Sequence, residues 1–201
     1  MNKKALSLIF TALFFTGLVS CGGKTVSRVG TDTVTDLSGR WNDTDSRLVA
    51  EEMVKDSLNR PWVDNFMKKS GKEPTVIVGT VVNRSHEHIN VQTFVNDLQR
   101  ELTNSGRISF VAGKDEREEI RTERLDQARN SSEDTAKGPG KEAGADYMMI
   151  GTINTILDEA EGTKAVFYQV DLEMVDMANN KKVWFGQKKI KKIIEKSRIK
   201  F

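Results

Sequence analysis

The sequence predicts an α/β (α+β) sandwich, a mixed central sheet of four or five strands flanked by helices. Three observations predict it. Apolar residues recur at helical spacing over 45–58 and again over 91–102. Val166, Tyr168, Val170, Leu172 and Met174 alternate with Gln169, Asp171 and Glu173, the period of a strand buried on one face. The segments succeed one another as helix, strand, helix, strand, helical region and an antiparallel meander of three strands. With 201 residues the chain has room for one ordinary domain and a tail.

Taken in order, Asp45 or Ser46 is expected to cap a first helix that carries Ala50, Met53, Val54 and Leu58 on one stripe. Pro61 cannot donate to the preceding turn, so a kink or a new helix is expected there, running through Trp62, Val63 and Phe66 until Gly71 closes it. Pro74 opens a strand, PTVIVGTVVN, whose β-branched residues on both faces suggest cover on both sides. After the polar loop Asn83–His88, Asn90 caps a helix with Val91, Phe94, Val95, Leu98 and Leu102 on one face. It stops at Asn104-Ser105-Gly106, and residues 107–111 read as a short strand. Residues 115–130 read as a charged surface helix with same-helix ion pairs, and 131–144 as a loop with a broken second helix. A long buried strand begins at Asp146, the alternating strand follows Glu161-Gly162-Thr163, and a last strand covers 181–190.

The ends carry different signals. Residues 1–20 have a positive start at Lys3 and Lys4 and an apolar run from Ala5 to Val19, too short to span a bilayer and of the length of a secretory signal peptide. Leu18-Val19-Ser20-Cys21-Gly22 resembles the lipobox of bacterial lipoproteins, which implies acylation of Cys21 and a stable membrane anchor. An uncut membrane helix, or an ordinary signal peptide with an incidental cysteine, is the alternative. With no acidic residue before Asp32, the resemblance favours the periplasmic side of the outer membrane. Residues 21–44 then read as the lipidated cysteine and a flexible tether, in which Trp41 is where order is expected to begin; a taut coil of that length reaches at most ~80 Å. The globular part is expected over 45–190 and a basic tail over 191–201. Lys181 to Phe201 holds nine Lys/Arg against Glu195 alone, which suits anionic headgroups, a phosphate-bearing polymer or an acidic protein patch, or else a lysine-guarded edge strand.

Composition excludes several classes. The formal charge of +2 is the signal peptide's two lysines, and a product starting at Cys21 carries 29 basic and 29 acidic side chains, so no nucleic-acid partner is implied. A single cysteine excludes an intrachain disulfide framework. The only histidines, His86 and His88, share one loop; they read as solvated, with a metal-dependent hydrolase a remote alternative, and no metal, cofactor or small-molecule substrate is expected. Gly138-Pro139-Gly140-Lys141 lacks the spacing and the preceding strand of a phosphate loop. No catalytic constellation emerges, and the chain reads as no enzyme.

Some residues resemble a known family: Val82-Asn83-Arg84 closing the first strand, Glu101–Gly106 leading into Ile108–Val111, Gly144-Ala145-Asp146-Tyr147, then Leu172–Asp176 and Val183-Trp184-Phe185-Gly186. Their order resembles that of the LpoB family, outer-membrane lipoproteins that activate a bifunctional penicillin-binding protein. The resemblance implies a domain like the N-terminal domain of TolB and a non-catalytic role in peptidoglycan synthesis. It differs in a short tether without proline before Pro61. Asn83 and Arg84 are the candidate partner-binding residues, the alternative being a turn that only satisfies backbone groups. A second functional class is a secretion or assembly lipoprotein similar to CsgG, which would need residues 146–157 and 164–177 as a membrane hairpin; Gln169, Asp171 and Glu173 disfavour that.

Overall fold

The computed structural model describes residues 25–195. The expected signal peptide, Cys21, the first tether residues 22–24 and residues 196–201 of the expected tail lie outside the described residues. The chain divides into two units, 1–33 and 34–201. In the first, residues 25–33 are exposed and irregular but for a turn in which the Thr33 N–H donates to the Gly30 carbonyl at 3.1 Å.

The second unit holds four described helices and five strands. Helix α1 spans Asp43–Leu58, two residues earlier than the expected cap. Asn42 is the cap instead: its side chain accepts from the Asp45 N–H at 3.1 Å, while the Asp45 carboxylate accepts from the Asn42 N–H at 3.0 Å. This reciprocal box fixes Asp45 at the third helical position, and Ser46 accepts from the Trp41 indole instead. Helix α2, Pro61–Ser70, starts on the proline and ends at Gly71, whose φ of 70° is a left-handed cap. Strand β1, Thr75–Arg84, leads through Asn90, which caps at Gln92, into α3, Val91–Asn104. Strand β2 is only Ser109–Phe110, followed by α4, Lys114–Asn130. No second helix forms over 131–144, where Gly138, Pro139, Gly140 and Gly144 interrupt the chain. The meander is β3, Tyr147–Ala160, β4, Thr163–Asp176, and β5, Lys182–Glu195.

The sheet order is β2-β1-β3-β4-β5, with β1 parallel to both its neighbours and the meander antiparallel. Helices α1, α2 and α3 pack on one face, where Phe94, Leu98, Met149, Ile153, Tyr168 and Leu172 are fully or almost fully buried. Cover on both sides holds only for the start of β1: Thr75 to Val78 are buried but Val82 is exposed. Because Val166, Tyr168 and Val170 lie in this core, β3 and β4 are ladder partners within a five-stranded sheet. No helix among the described residues is long and apolar enough to cross a membrane.

Two features extend the fold beyond its expected limits. Strand β5 continues to Glu195, pairing with Thr163, because its inward positions Lys188, Ile190, Lys192 and Ile194 keep the two-residue period. Residues 34–42 form a strap across the helix side of that end. Lys192, whose side chain is 9% exposed, pairs at 2.6 Å with both Asp36 and Asp45, and Asp45 is 8% exposed. Burial alone would lower the Lys192 pKa, but the two carboxylates overrule it and hold it above normal. Its hydrogen bond holds Asp36 below the usual carboxylate range. Trp41 stands edge-on to Phe94 and Tyr168, with ring centroids 6.0 and 5.6 Å away.

Two outcomes test this packing. Gly151 leaves room for Leu172 to lie across β3, and a methyl there would land on the Asp171 carbonyl. Gly151→Ala should therefore cost about 2 kcal/mol, lowering Tm by roughly 4–8 °C in a melting curve; an unchanged Tm contradicts the register. Lys192→Met leaves Asp45 buried without its cation and should cost about 3 kcal/mol in denaturant unfolding, part of which Asp45→Asn restores in the double variant. A depressed Asp36 pKa contributes stability above about pH 4 and loses it as pH falls through the folded value. A raised Lys192 pKa contributes below about pH 10 and loses its share only above that, so the strap's contribution should be flat between.

Candidate partner-binding face

The loop after β1 is built by short-range hydrogen bonds. The Asn83 amide donates to the Glu87 carbonyl at 2.9 Å, and its oxygen accepts from the Ser85 N–H at 2.9 Å. The Ser85 hydroxyl donates to the same Glu87 carbonyl at 3.0 Å and accepts from the Glu87 N–H at 3.1 Å. The Asn83 side chain thus closes the turn. Arg84 is different: it is exposed at the end of β1, and its guanidinium makes no ion pair among the described residues. The two candidate residues are sequence neighbours that point to opposite faces of the sheet.

The loop also carries an internal hub. One Glu87 oxygen accepts from the Trp41 N–H at 3.2 Å and the other from the Tyr168 hydroxyl at 2.8 Å. Burial, reinforced by that hydrogen bond, pushes the Tyr168 pKa far up, so the phenol stays a neutral donor. Nothing in the sequence marks Glu87 for this role; it is an acid between two histidines in a polar loop. His86 turns to β3, its N–H donating to the Thr155 hydroxyl at 3.1 Å and its Nδ1 lying 3.0 Å from the same oxygen. Among the described residues no group of three or more His, Cys, Asp or Glu is placed to hold a metal ion.

The charged helix α4 buries none of its residues. Arg121 reaches Glu118 on the same helix at 3.5 Å, but its closer contact is bidentate, at 2.8 and 3.0 Å, to Glu142 in the following loop. The expected same-helix pairing is thus supplemented by a clasp that ties the helix to its own C-terminal loop.

With α1, α2 and α3 on one side, the opposite face of the sheet stays open beyond the start of β1, where Ile77 is buried, and the register arranges its side chains in rows. Val82, Thr152, Asp171 and Gln187 form one row, and Arg84, Asn154, Gln169 and Lys189 the next. Ile156, Phe167 and Lys191 follow, then Asp158, Ala165 and Ile193. Asp171 accepts from Gln169 and Gln187, with Asn154 within 3.4 Å, and Glu173 pairs with Lys182 at 2.7 Å. A broad polar face interrupted by exposed aliphatic side chains suits contact with another macromolecule better than enclosure of a small molecule.

Known proteins give the family. The family described as peptidoglycan-synthase activator LpoB matches residues 45–190. Among solved structures, the LpoB C-terminal domain from Escherichia coli is 14% identical, over 73% of this chain and 98% of that one, with a TM-score of 0.41. The LpoB C-terminal domain from Salmonella enterica is 16% identical, over 65% and 93%, with a TM-score of 0.36. Lipoprotein GNA1162 from Neisseria meningitidis is 11% identical, over 63% and 88%, with a TM-score of 0.40. No curated protein matches. The family match covers well over half of the chain and nearly all of its helices and strands, and the chain belongs to the LpoB family of peptidoglycan-synthase activators.

Proposed function

We propose that this chain is a lipid-anchored, non-enzymatic regulator on the periplasmic side of the outer membrane, which binds and activates a bifunctional penicillin-binding protein. The observation that carries this reading is the family match over residues 45–190. The lipobox-like Leu18–Cys21 supports the anchor, with Cys21 as the acylated residue. The regulator works by population shift: it binds the synthase's more active conformer more tightly than its idle one, and its effect is bounded by that difference in affinity. It contributes no catalytic group, metal or cofactor of its own.

The strap changes what the anchor permits. Twelve residues separate Cys21 from Val34, and an extended chain of twelve spans about 40 Å at most. That is half the reach expected if everything up to residue 44 were loose. The synthase must therefore project toward the outer membrane for the contact to form.

Two measurements test the reading. The unaltered mature protein should carry acyl chains on Cys21 by mass spectrometry and Cys21→Ser should carry none; an unaltered protein without acyl chains contradicts the anchor. Added to the detergent-solubilised bifunctional penicillin-binding protein of the same bacterium, the Cys21→Ser chain should raise the rate of lipid II polymerisation several-fold. A rate unchanged at saturating chain contradicts activation.

A further inference from the structure

Resting on the synthase-regulator reading, we propose that the open face of the sheet is the docking surface, and that the partner meets it with carboxylates set around an apolar contact. Ile156 is 65% exposed and Ile193 and Phe185 each 56%, on a face where Ile150 and Val175 are partly covered. Arg84, Lys189 and Lys191 flank Ile156 and Phe167 in adjacent rows, and none of the three makes an ion pair among the described residues. Arg84 and Lys189 lie at the two ends of one four-strand row, about 14 Å apart at ordinary strand spacing.

Charge decides what can cover this surface. Burying Ile156 and Ile193 draws the neighbouring cations out of water, which is costly against an apolar partner and favourable against an acidic one. Of the acids in the rows below, Glu173 is paired with Lys182, while Asp171 keeps its charge as it accepts from Gln169 and Gln187, so the three cations face one uncompensated carboxylate there. Asp158 and Glu195 sit on the far rim beyond Ile156 and Lys191. The face is therefore polar along its length, cationic toward Arg84 and acidic at the β3–β4 hairpin, where Glu161 also lies. An anionic membrane pressed on this end would meet those rim acids, whereas an acidic protein patch can align with the cation row alone. A protein surface is the occupant, and the asymmetry fixes its orientation.

The test uses the full chain with Cys21→Ser and the purified bifunctional penicillin-binding protein of the same bacterium, with affinity measured at low and high salt. Lys189→Glu with Lys191→Glu should weaken binding about 30-fold, and Ile156→Ser about tenfold. Lys68→Glu, on exposed α2, should leave it within about twofold, and salt should weaken the unaltered complex. The milder Lys189→Gln with Lys191→Gln repeats the test if charge reversal disturbs folding. Binding within twofold for the face variants, while the unaltered chain binds, overturns the face and leaves the regulator reading standing. An unaltered chain that binds no synthase overturns both. Vesicles of anionic lipid, or a second copy of this chain, captured through the same residues in place of the synthase also overturn the proposal.

Discussion

The Glu87 side chain accepts one hydrogen bond from the Trp41 amide and another from the Tyr168 hydroxyl, so the strap before α1, the loop after β1 and the buried face of β4 meet at one carboxylate. Each contact answers a physical demand. Tyr168 is fully buried and its hydroxyl needs a partner. Trp41 enters with its indole N–H given to Ser46 at 2.9 Å and its ring against Phe94 and Tyr168, so its amide needs one too. Lys192 then secures the strap's other end through Asp36 and Asp45. Residues 34–42 are thereby part of the domain.

Sidedness follows from the same core. The inward residues of β4 can be covered only once, and α1, α3 and the strap cover them from one side. The other side keeps a polar, partly aliphatic surface on which β1 presents Arg84 and the edge strand β5 presents Lys189 and Lys191. Lysines on an edge strand also discourage sheet-to-sheet aggregation, and that protection is compatible with service as a docking row. Gly186 contributes on the buried side: without a side chain it lets the Trp184 indole lie back across β5 and donate to Asp56 at 2.8 Å, binding the edge strand to α1.

Much of this was legible in the sequence, and the exceptions share a cause. The stripe in α3, the alternation in β4 and the stops at Pro61 and Gly71 are local patterns, and local rules place them. Asn42 was hidden because a reciprocal cap depends on the residue three positions on, and Asp45 competes for the same role. The end of β5 reads as a tail because its inward lysines look like solvated charge. Only the fold supplies Glu52 for Lys188 and two carboxylates for Lys192. Glu87 was illegible for the opposite reason: its polarity is ordinary for a loop, and only long-range geometry makes it a hub. Asn83 and Arg84, adjacent at the end of β1, point to opposite faces of the sheet.

The claim that the strap belongs to the domain is tested most directly by amide hydrogen exchange at Trp41, read in the unaltered chain and in Glu87→Leu. A leucine side chain has no acceptor, so the Trp41 amide and the Tyr168 hydroxyl both lose their partner. The Trp41 amide should be protected in the unaltered chain, well above residues 25–33, and should lose protection by about tenfold or more in the variant. Exchange at Trp41 as fast as in residues 25–33, or protection unmoved by the substitution, would contradict the account.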